Sequence, residues 1–181
     1  MNYGKIKTYD IADGPGVRVS LFVSGCTHHC PGCFNQETWD FEYGEVFGNT
    51  EILKILEELQ HEYIQGLSIL GGEPFEPQNR GAVLDLVKRV RAAYPDKDIW
   101  CYTGYTIEHL LRDEESREIL NHIDVLVDGP FVEAKKSLML RFRGSSNQRI
   151  IDVPATLSAG EVVYFYREGE ERFEFYDRKF I

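Results

Sequence analysis

A chain of 181 residues with 43% hydrophobic and 28% charged side chains has the length and balance of a single domain, residues 1–181, with a buried core. Its formal net charge of −10 argues against a general nucleic-acid binder, because phosphate contacts need clustered Lys and Arg. The start of the chain lacks the apolar segment of a signal peptide and no apolar run approaches a bilayer span, so a cytoplasmic protein with no membrane contact is expected.

In chain order, residues 17–23 alternate Val17, Val19, Leu21 and Val23 with Arg18 and Ser20, a strand pattern. Residues 50–63 place Ile52, Leu56, Leu59 and Tyr63 at helical spacing behind Thr50 as N-cap. A short strand, 67–70, ends in Gly71-Gly72, and a helix over 79–94 turns Val83, Val87, Val90 and Tyr94 inward before Pro95 stops it. A strand at 98–103 follows, then one interrupted helix or two short ones over 106–120, then strands at 123–127 and 149–153. The last stretch, 162–175, alternates aromatic and polar residues and reads as a short C-terminal β hairpin or tail packed on the domain.

Strands separated by helices of this length predict right-handed βαβ units and a mainly parallel sheet. Five strands are too few for a closed eight-stranded barrel, so the expected α/β fold is a partial, open β/α barrel. One cationic stretch stands out in an acidic chain: Lys135, Lys136, Arg141, Arg143 and Arg149 form either a solvated surface or a face toward an anionic ligand or acidic partner.

Three of the four cysteines fall within eight residues, in Ser24-Gly25-Cys26-Thr27-His28-His29-Cys30-Pro31-Gly32-Cys33-Phe34-Asn35. Thiols packed this closely read as metal ligands rather than disulfide partners. The loop begins where the first predicted strand ends, the edge at which parallel α/β folds bind ligands. Three thiolates fall short of a four-cysteine electron-transfer cluster and leave one iron open to another ligand. A Cys₃His zinc site using His28 or His29 is the competing reading. Cys101, inside an apolar strand, reads as a core residue. Gly71-Gly72-Glu73-Pro74 follows the second strand on the same edge, where bare backbone carbonyls and a carboxylate suit a cationic ammonium. Thr103 and Asp128, at the ends of the next two strands, are candidate ligand or substrate contacts, or else turn and cap residues.

The C-x₃-C-x₂-C spacing is the signature of the radical S-adenosylmethionine superfamily, and the chain resembles one branch of it, the activating enzymes of anaerobic ribonucleotide reductase. The resemblance runs through Asp13-Gly14-Pro15-Gly16, Cys26–Cys33 with Asn35, Thr38 and Trp39, and Gly71-Gly72-Glu73-Pro74. It continues with Tyr102-Thr103-Gly104, Asp128-Gly129-Pro130-Phe131 and 143–149. Gly32 stands where the superfamily usually has an aromatic residue, a departure this branch shares.

The resemblance implies a [4Fe–4S] cluster on Cys26, Cys30 and Cys33, and S-adenosylmethionine as cofactor. Gly32, Cys33 and Phe34 would lie near its methionine and adenine ends, Gly71, Gly72 and Glu73 at its amino group, and Asn147 near the site. It implies no catalytic side chain, a glycine loop of the reductase's catalytic subunit as substrate, and a one-electron donor such as flavodoxin. A compact small-molecule enzyme of the same superfamily, such as a carboxy-deazaguanine synthase, and a non-catalytic metal-binding module are the alternatives.

Overall fold

The computed structural model describes residues 1–165. They form one open seven-stranded sheet: β1 (Asn2–Asp10), β2 (Val17–Val23), β3 (Glu45–Val46), β4 (Ile64–Gly71), β5 (Asp98–Tyr102), β6 (Val125–Asp128) and β7 (Arg149–Asp152), in spatial order β3-β1-β2-β4-β5-β6-β7. The four central strands, β2, β4, β5 and β6, are parallel. They coincide with four of the five strands expected.

Two expectations change. The segment 149–153 does form a strand, but β7 runs antiparallel to β6. The connection between them holds only a 3₁₀ turn at Glu133–Lys135, so the chain doubles back on the same edge instead of crossing over a helix. At the other side β1, which the sequence reading passed over, pairs antiparallel with β2, and the two-residue β3 caps the start of β1. The sheet is open, as expected, and parallel at its centre; its strand order runs between two unjoined edges, β3 and β7.

The helices α1 (Asn49–Leu59), α2 (Pro77–Ala93), α3 (Ile107–Leu110), α4 (Glu114–Leu120) and α5 (Val153–Ala159) supply the crossovers and the C-terminal end. Period-two alternation divides each central strand. Val19, Leu21, Leu67, Ile69, Ile99, Cys101 and Leu126 join Ile52, Ile55, Leu59, Val83, Leu86, Val87, Val90 and Ile119 in the main core. The opposite strand faces carry Arg18, Ser20, Phe22, Ser68, Leu70, Trp100 and Tyr102. Trp100 there anchors a smaller cluster with Val125, Val127 and Ile150.

In α1 the buried stripe is Ile52, Ile55 and Leu59. The helix stops at Leu59, and Tyr63, expected to face inward, is 60% exposed in the turn that leads into β4. The start of α1 is set by Gly48 rather than Thr50, its N–H donating to the Glu51 carboxylate at 2.8 Å. The interrupted helix of 106–120 resolves into α3 and α4, capped by Thr106 and Asp113. Of the expected C-terminal hairpin, Tyr164 bridges to Ile151 and Phe165 meets Trp100 at 5.2 Å; residues 166–175 of it lie outside those described. Among the described residues no helix is long and apolar enough to cross a membrane.

Arg18 is fully buried on the sheet face away from the helices. Its guanidinium donates to Ser68 Oγ at 2.7 Å, Leu67 O at 2.9 Å, Asp98 O at 3.3 Å and Pro15 O at 3.2 Å, and meets the Asp98 carboxylate at 2.5 Å. It thus fastens the 11–16 turn to the starts of three neighbouring strands. Removing it leaves Asp98 and several carbonyls without that donor. Arg18→Ala should cost about 3–5 kcal/mol in chemical denaturation, and a loss below about 1 kcal/mol would show that this network is not structural.

Candidate functional site

The parallel strands end on one edge, where Val23 pairs with Gly71 and Tyr102 with Val127, so the loops after β2, β4, β5 and β6 share a rim. The cysteine loop is held into this rim from two sides. From one side, Gly25 N–H donates to Thr38 O at 2.8 Å and Cys26 N–H to Trp39 O at 3.1 Å. From the other, Gly72 N–H donates to Val23 O at 2.7 Å and Glu73 N–H to Gly25 O at 2.8 Å. The Thr27 N–H and hydroxyl both donate to Glu76 Oε1, at 2.9 and 2.5 Å. Asn79 Nδ2 donates to Ser24 O and Glu73 O at 3.0 and 2.9 Å, clasping the two loops together.

This close approach is what needs glycine at 72: a Cβ there would stand 2.6 Å from Gly25 O and 2.9 Å from Thr38 O. Gly32 is needed for a different reason. Its φ of +71° is a left-handed turn between Cys30 and Cys33, and a Cβ would meet the Glu133 carboxylate at 2.8 Å.

Cys26, Cys30 and Cys33 are free thiols, half-buried, on the wall of one cavity of about 580 Å³. Burial pushes the Cys26 thiol up to about 11 and raises Cys30 as well. Cys101 is fully buried on the helix side of β5 and is no part of this wall. In number and kind the three thiols suit a cluster held by three cysteines with one iron left to another ligand, although among the described residues no three His, Cys, Asp or Glu side chains are grouped as for a metal ion. The indole Nε1 of Trp39, on the same wall, is buried and has no acceptor among the described residues, so an occupant with an acceptor atom would satisfy it. His28 and His29 are engaged elsewhere: His28 Nε2 lies 3.0 Å from Glu73 Oε2, and the His29 ring stacks on Trp39 at 4.7 Å.

Gly71, Gly72, Glu73, Thr103 and Phe34 border the same cavity as the thiols. Glu73, 1% exposed, accepts from Phe75 N–H at 2.9 Å, Thr103 Oγ1 at 2.8 Å and Gly104 N–H at 2.8 Å, besides His28. Phe34 is 58% exposed, its ring 5.3 Å from Phe131 and capped by Lys136 Nζ at 4.6 Å.

Gly32, Asp128 and Asn147 do not border the cavity. Asp128 is fully buried; it accepts from Arg149 Nε at 2.8 Å and Arg149 Nη2 at 2.5 Å and caps α3 through Ile107 N–H at 2.8 Å. Arg149 also forks onto Glu108 at 2.9 and 2.8 Å, which holds that carboxyl down at about 2. Asn147 Nδ2 donates to Pro130 O at 2.8 Å, fastening the 129–131 turn whose Gly129 and Phe131 do line the cavity. The strand-end position of Asp128 pointed to the rim; an arginine partner 21 residues away has no local signal.

Lys5, Lys7 and Asp13 border the cavity as well. Lys7 Nζ is 3.3 Å from Asp10 Oδ2 and 3.9 Å from Asp13 Oδ2. Burial, and then the neighbouring Asp10 carboxylate, raise Asp13 to about 7. Burial alone would raise Asp10 too, but hydrogen bonds from Asp13 and the Ala12 N–H hold it at about 2. Below about pH 7 the pair holds one proton, which burial favours on Asp13.

Comparison with known proteins gives this constellation a context. Residues 12–151 match a family model described as a 4Fe-4S single cluster domain. The chain is 46% identical over 152 residues to the anaerobic ribonucleoside-triphosphate reductase-activating protein of Vibrio cholerae, an alignment covering 83% of this chain and 97% of that protein. It is 45% identical over 150 residues to the protein of that name from Escherichia coli K12, covering 82% and 96%. To its namesake in Enterobacteria phage T4 it is 43% identical over 150 residues, covering 83% and 93%.

The proton on Asp13 makes a prediction about the cavity wall. A carboxyl raised to about 7 in the folded chain favours folding below its ordinary value of 3.8, and that contribution is lost as pH rises through about 7. Asp13→Asn removes the loss. Its stability relative to the native chain should therefore rise between about pH 5 and about pH 8 in denaturant titrations. A difference that is the same at both pH values would place the proton elsewhere.

Proposed function

Because this chain belongs to the family of anaerobic ribonucleoside-triphosphate reductase-activating proteins and carries that family's iron–sulfur domain, we propose that it activates such a reductase by radical S-adenosylmethionine chemistry. What carries the reading is the meeting of three free thiols with Gly71, Gly72, Glu73 and Thr103 around one cavity, in a chain that aligns with these relatives over 83% of its length. Cys26, Cys30 and Cys33 would hold the cluster and leave one iron without a protein ligand. Bound there and reduced by a one-electron donor such as flavodoxin, the cluster would supply the electron for reductive cleavage of S-adenosylmethionine, whose products would be methionine and, once a hydrogen atom has been taken from a glycine Cα of the reductase, 5′-deoxyadenosine.

The chain's own residues bind, orient and exclude water. The Gly71-Gly72 turn presents backbone to the ammonium end of S-adenosylmethionine, and the Glu73 charge behind it favours a cation at that place. Phe34, exposed beside the third cysteine, offers a ring face to the adenine. Phe22, Leu70, Tyr102 and Phe142 give the cavity its largely apolar far wall, which keeps solvent from a reactive radical. Asp128 and Asn147 act by position, Asp128 by holding Arg149 and the start of α3 and Asn147 by fastening the 129–131 turn. A glycine has to come within contact distance of the radical carbon, so the reductase must present it on an extended segment that enters this cavity.

Two measurements test this. Cys26→Ala, Cys30→Ala and Cys33→Ala should each lose the iron and the visible absorbance of the anaerobically assembled protein, whereas Cys101→Ala should retain both; iron lost from the Cys101 variant alone would undo the ligand assignment. Deuterium on the reductase's glycine Cα should appear in 5′-deoxyadenosine when reduced protein, S-adenosylmethionine and reductase are mixed. If S-adenosylmethionine is cleaved with the reductase present, yet no deuterium transfers and no glycyl radical forms, the activase reading fails.

A further inference from the structure

The 3₁₀ turn Gln36–Trp39 comes soon after the third cysteine and folds back onto the loop it leaves. Thr38 N–H closes the turn on Asn35 O at 3.0 Å, and the Trp39 carbonyl accepts from Cys26 N–H at 3.1 Å. The backbone of Trp39 is thereby tied to the first cysteine. Its ring is held by the residue before the second: the His29 imidazole stacks on the indole at 4.7 Å, the two planes 27° apart. His29 does so at a φ of +46°, in the left-handed region that residues other than glycine seldom adopt. One face of the indole is therefore gripped by a side chain whose backbone is itself held in an uncommon conformation.

The ring so placed carries a donor with nothing to donate to. Trp39 Nε1 is buried, has no acceptor among the described residues, and belongs to a side chain on the cavity wall shared with Cys26, Cys30 and Cys33. An indole nitrogen can only donate. A buried N–H left unpaired is unfavourable, and a phenylalanine ring at the same place would avoid that cost. The donor thus marks an acceptor that arrives with the occupant of the site. Trp39 is fastened to the backbone of Cys26 and to the residue before Cys30, so the acceptors a loaded site brings to it are sulfurs. Sulfur bound to iron carries negative charge, and a hydrogen bond to it strengthens when the cluster takes up an electron.

We propose that the Trp39 indole N–H donates to a sulfur of the loaded site, a ligating cysteine's or the cluster's own, and so eases the one-electron reduction of the cluster. His29 acts through Trp39, by holding the ring. The electron comes from the one-electron donor, and no bond of the chain is made or broken. The inference rests on the cluster assigned above to Cys26, Cys30 and Cys33, and it needs neither S-adenosylmethionine nor the reductase.

A potentiometric titration of the anaerobically assembled full chain, read by the paramagnetic signal of the reduced cluster, tests it. Trp39→Phe keeps a ring for His29 to stack on and removes the N–H. The variant should retain its iron, while its ratio of reduced to oxidised cluster at the native midpoint falls roughly tenfold, a midpoint lower by about 59 mV. An assembled variant with an unchanged midpoint overturns the proposal. So does a shift seen only once S-adenosylmethionine is added, which would give the N–H to that cofactor. If the variant assembles no cluster, the native chain labelled with ¹⁵N in its indole rings decides. Its reduced cluster should show a magnetic coupling to ¹⁵N, and Trp100, the one other tryptophan, does not border the cavity. Absence of that coupling overturns the proposal without any substitution. A native chain that assembles no cluster fails the ligand assignment and this inference together, whereas an assembled cluster with neither coupling nor shift fails this inference alone.

Discussion

The Glu73 carboxylate accepts four hydrogen bonds from donors in separate parts of the chain: His28 in the cysteine loop, Phe75 in its own turn, and Thr103 and Gly104 after β5. A carboxylate 1% exposed is costly to bury unless its oxygens are satisfied, and here each accepts two bonds. Hydrogen bonds to a charged group contribute about 1.5–3 kcal/mol each, and losing one partner costs more than the bond is worth in isolation. The three loops are therefore not free to move apart. The position of the thiols relative to the Gly71-Gly72 turn is set by this group through His28 together with the bonds of Gly25, Glu73 N–H, Glu76 and Asn79.

That arrangement explains which parts of the site could be read from residues alone. The cysteine spacing and the two glycines before Glu73 are local patterns, and strand ends placed them on a common rim because parallel crossovers put every strand's C-terminus on the same edge. What sequence does not carry is the identity of long-range polar partners. Asp128 had the right address, at the end of β6, but its carboxylate is consumed by Arg149 and by the start of α3. Likewise Thr38, in the pattern that follows the cysteines, is buried and gives its carbonyl to Gly25 and its hydroxyl to Asn35 O at 2.7 Å, a structural use of a residue first noticed as part of a motif.

The fold shows the same division. Four central strands were legible because their inward residues are β-branched or aliphatic at period two. β1 was not, since Gly4, Lys5 and Lys7 dilute its pattern and most of its residues are only half-buried. Direction of pairing was hidden as well: β7 has the apolar core of a strand, and it returns antiparallel after a link from β6 that holds no helix beyond a 3₁₀ turn. The antiparallel edge strands border the site: β1 brings Lys5 and Lys7 to the cavity and β7 brings Arg149 to Asp128.

The two ends of the cavity are built on opposite principles. At the thiols, buried charge and backbone hydrogen bonds leave little freedom, which suits a group that must be held at fixed distance from its cofactor. At the mouth, Leu138 on the cavity wall and its neighbour Met139 project into solvent, which suits a surface that meets another molecule. Radical chemistry on a macromolecule asks for both properties at once, since water has to be kept out and a segment of another protein admitted. A sheet left open between β3 and β7 leaves room for such a segment, and Phe22, Leu70 and Tyr102 offer it an apolar wall.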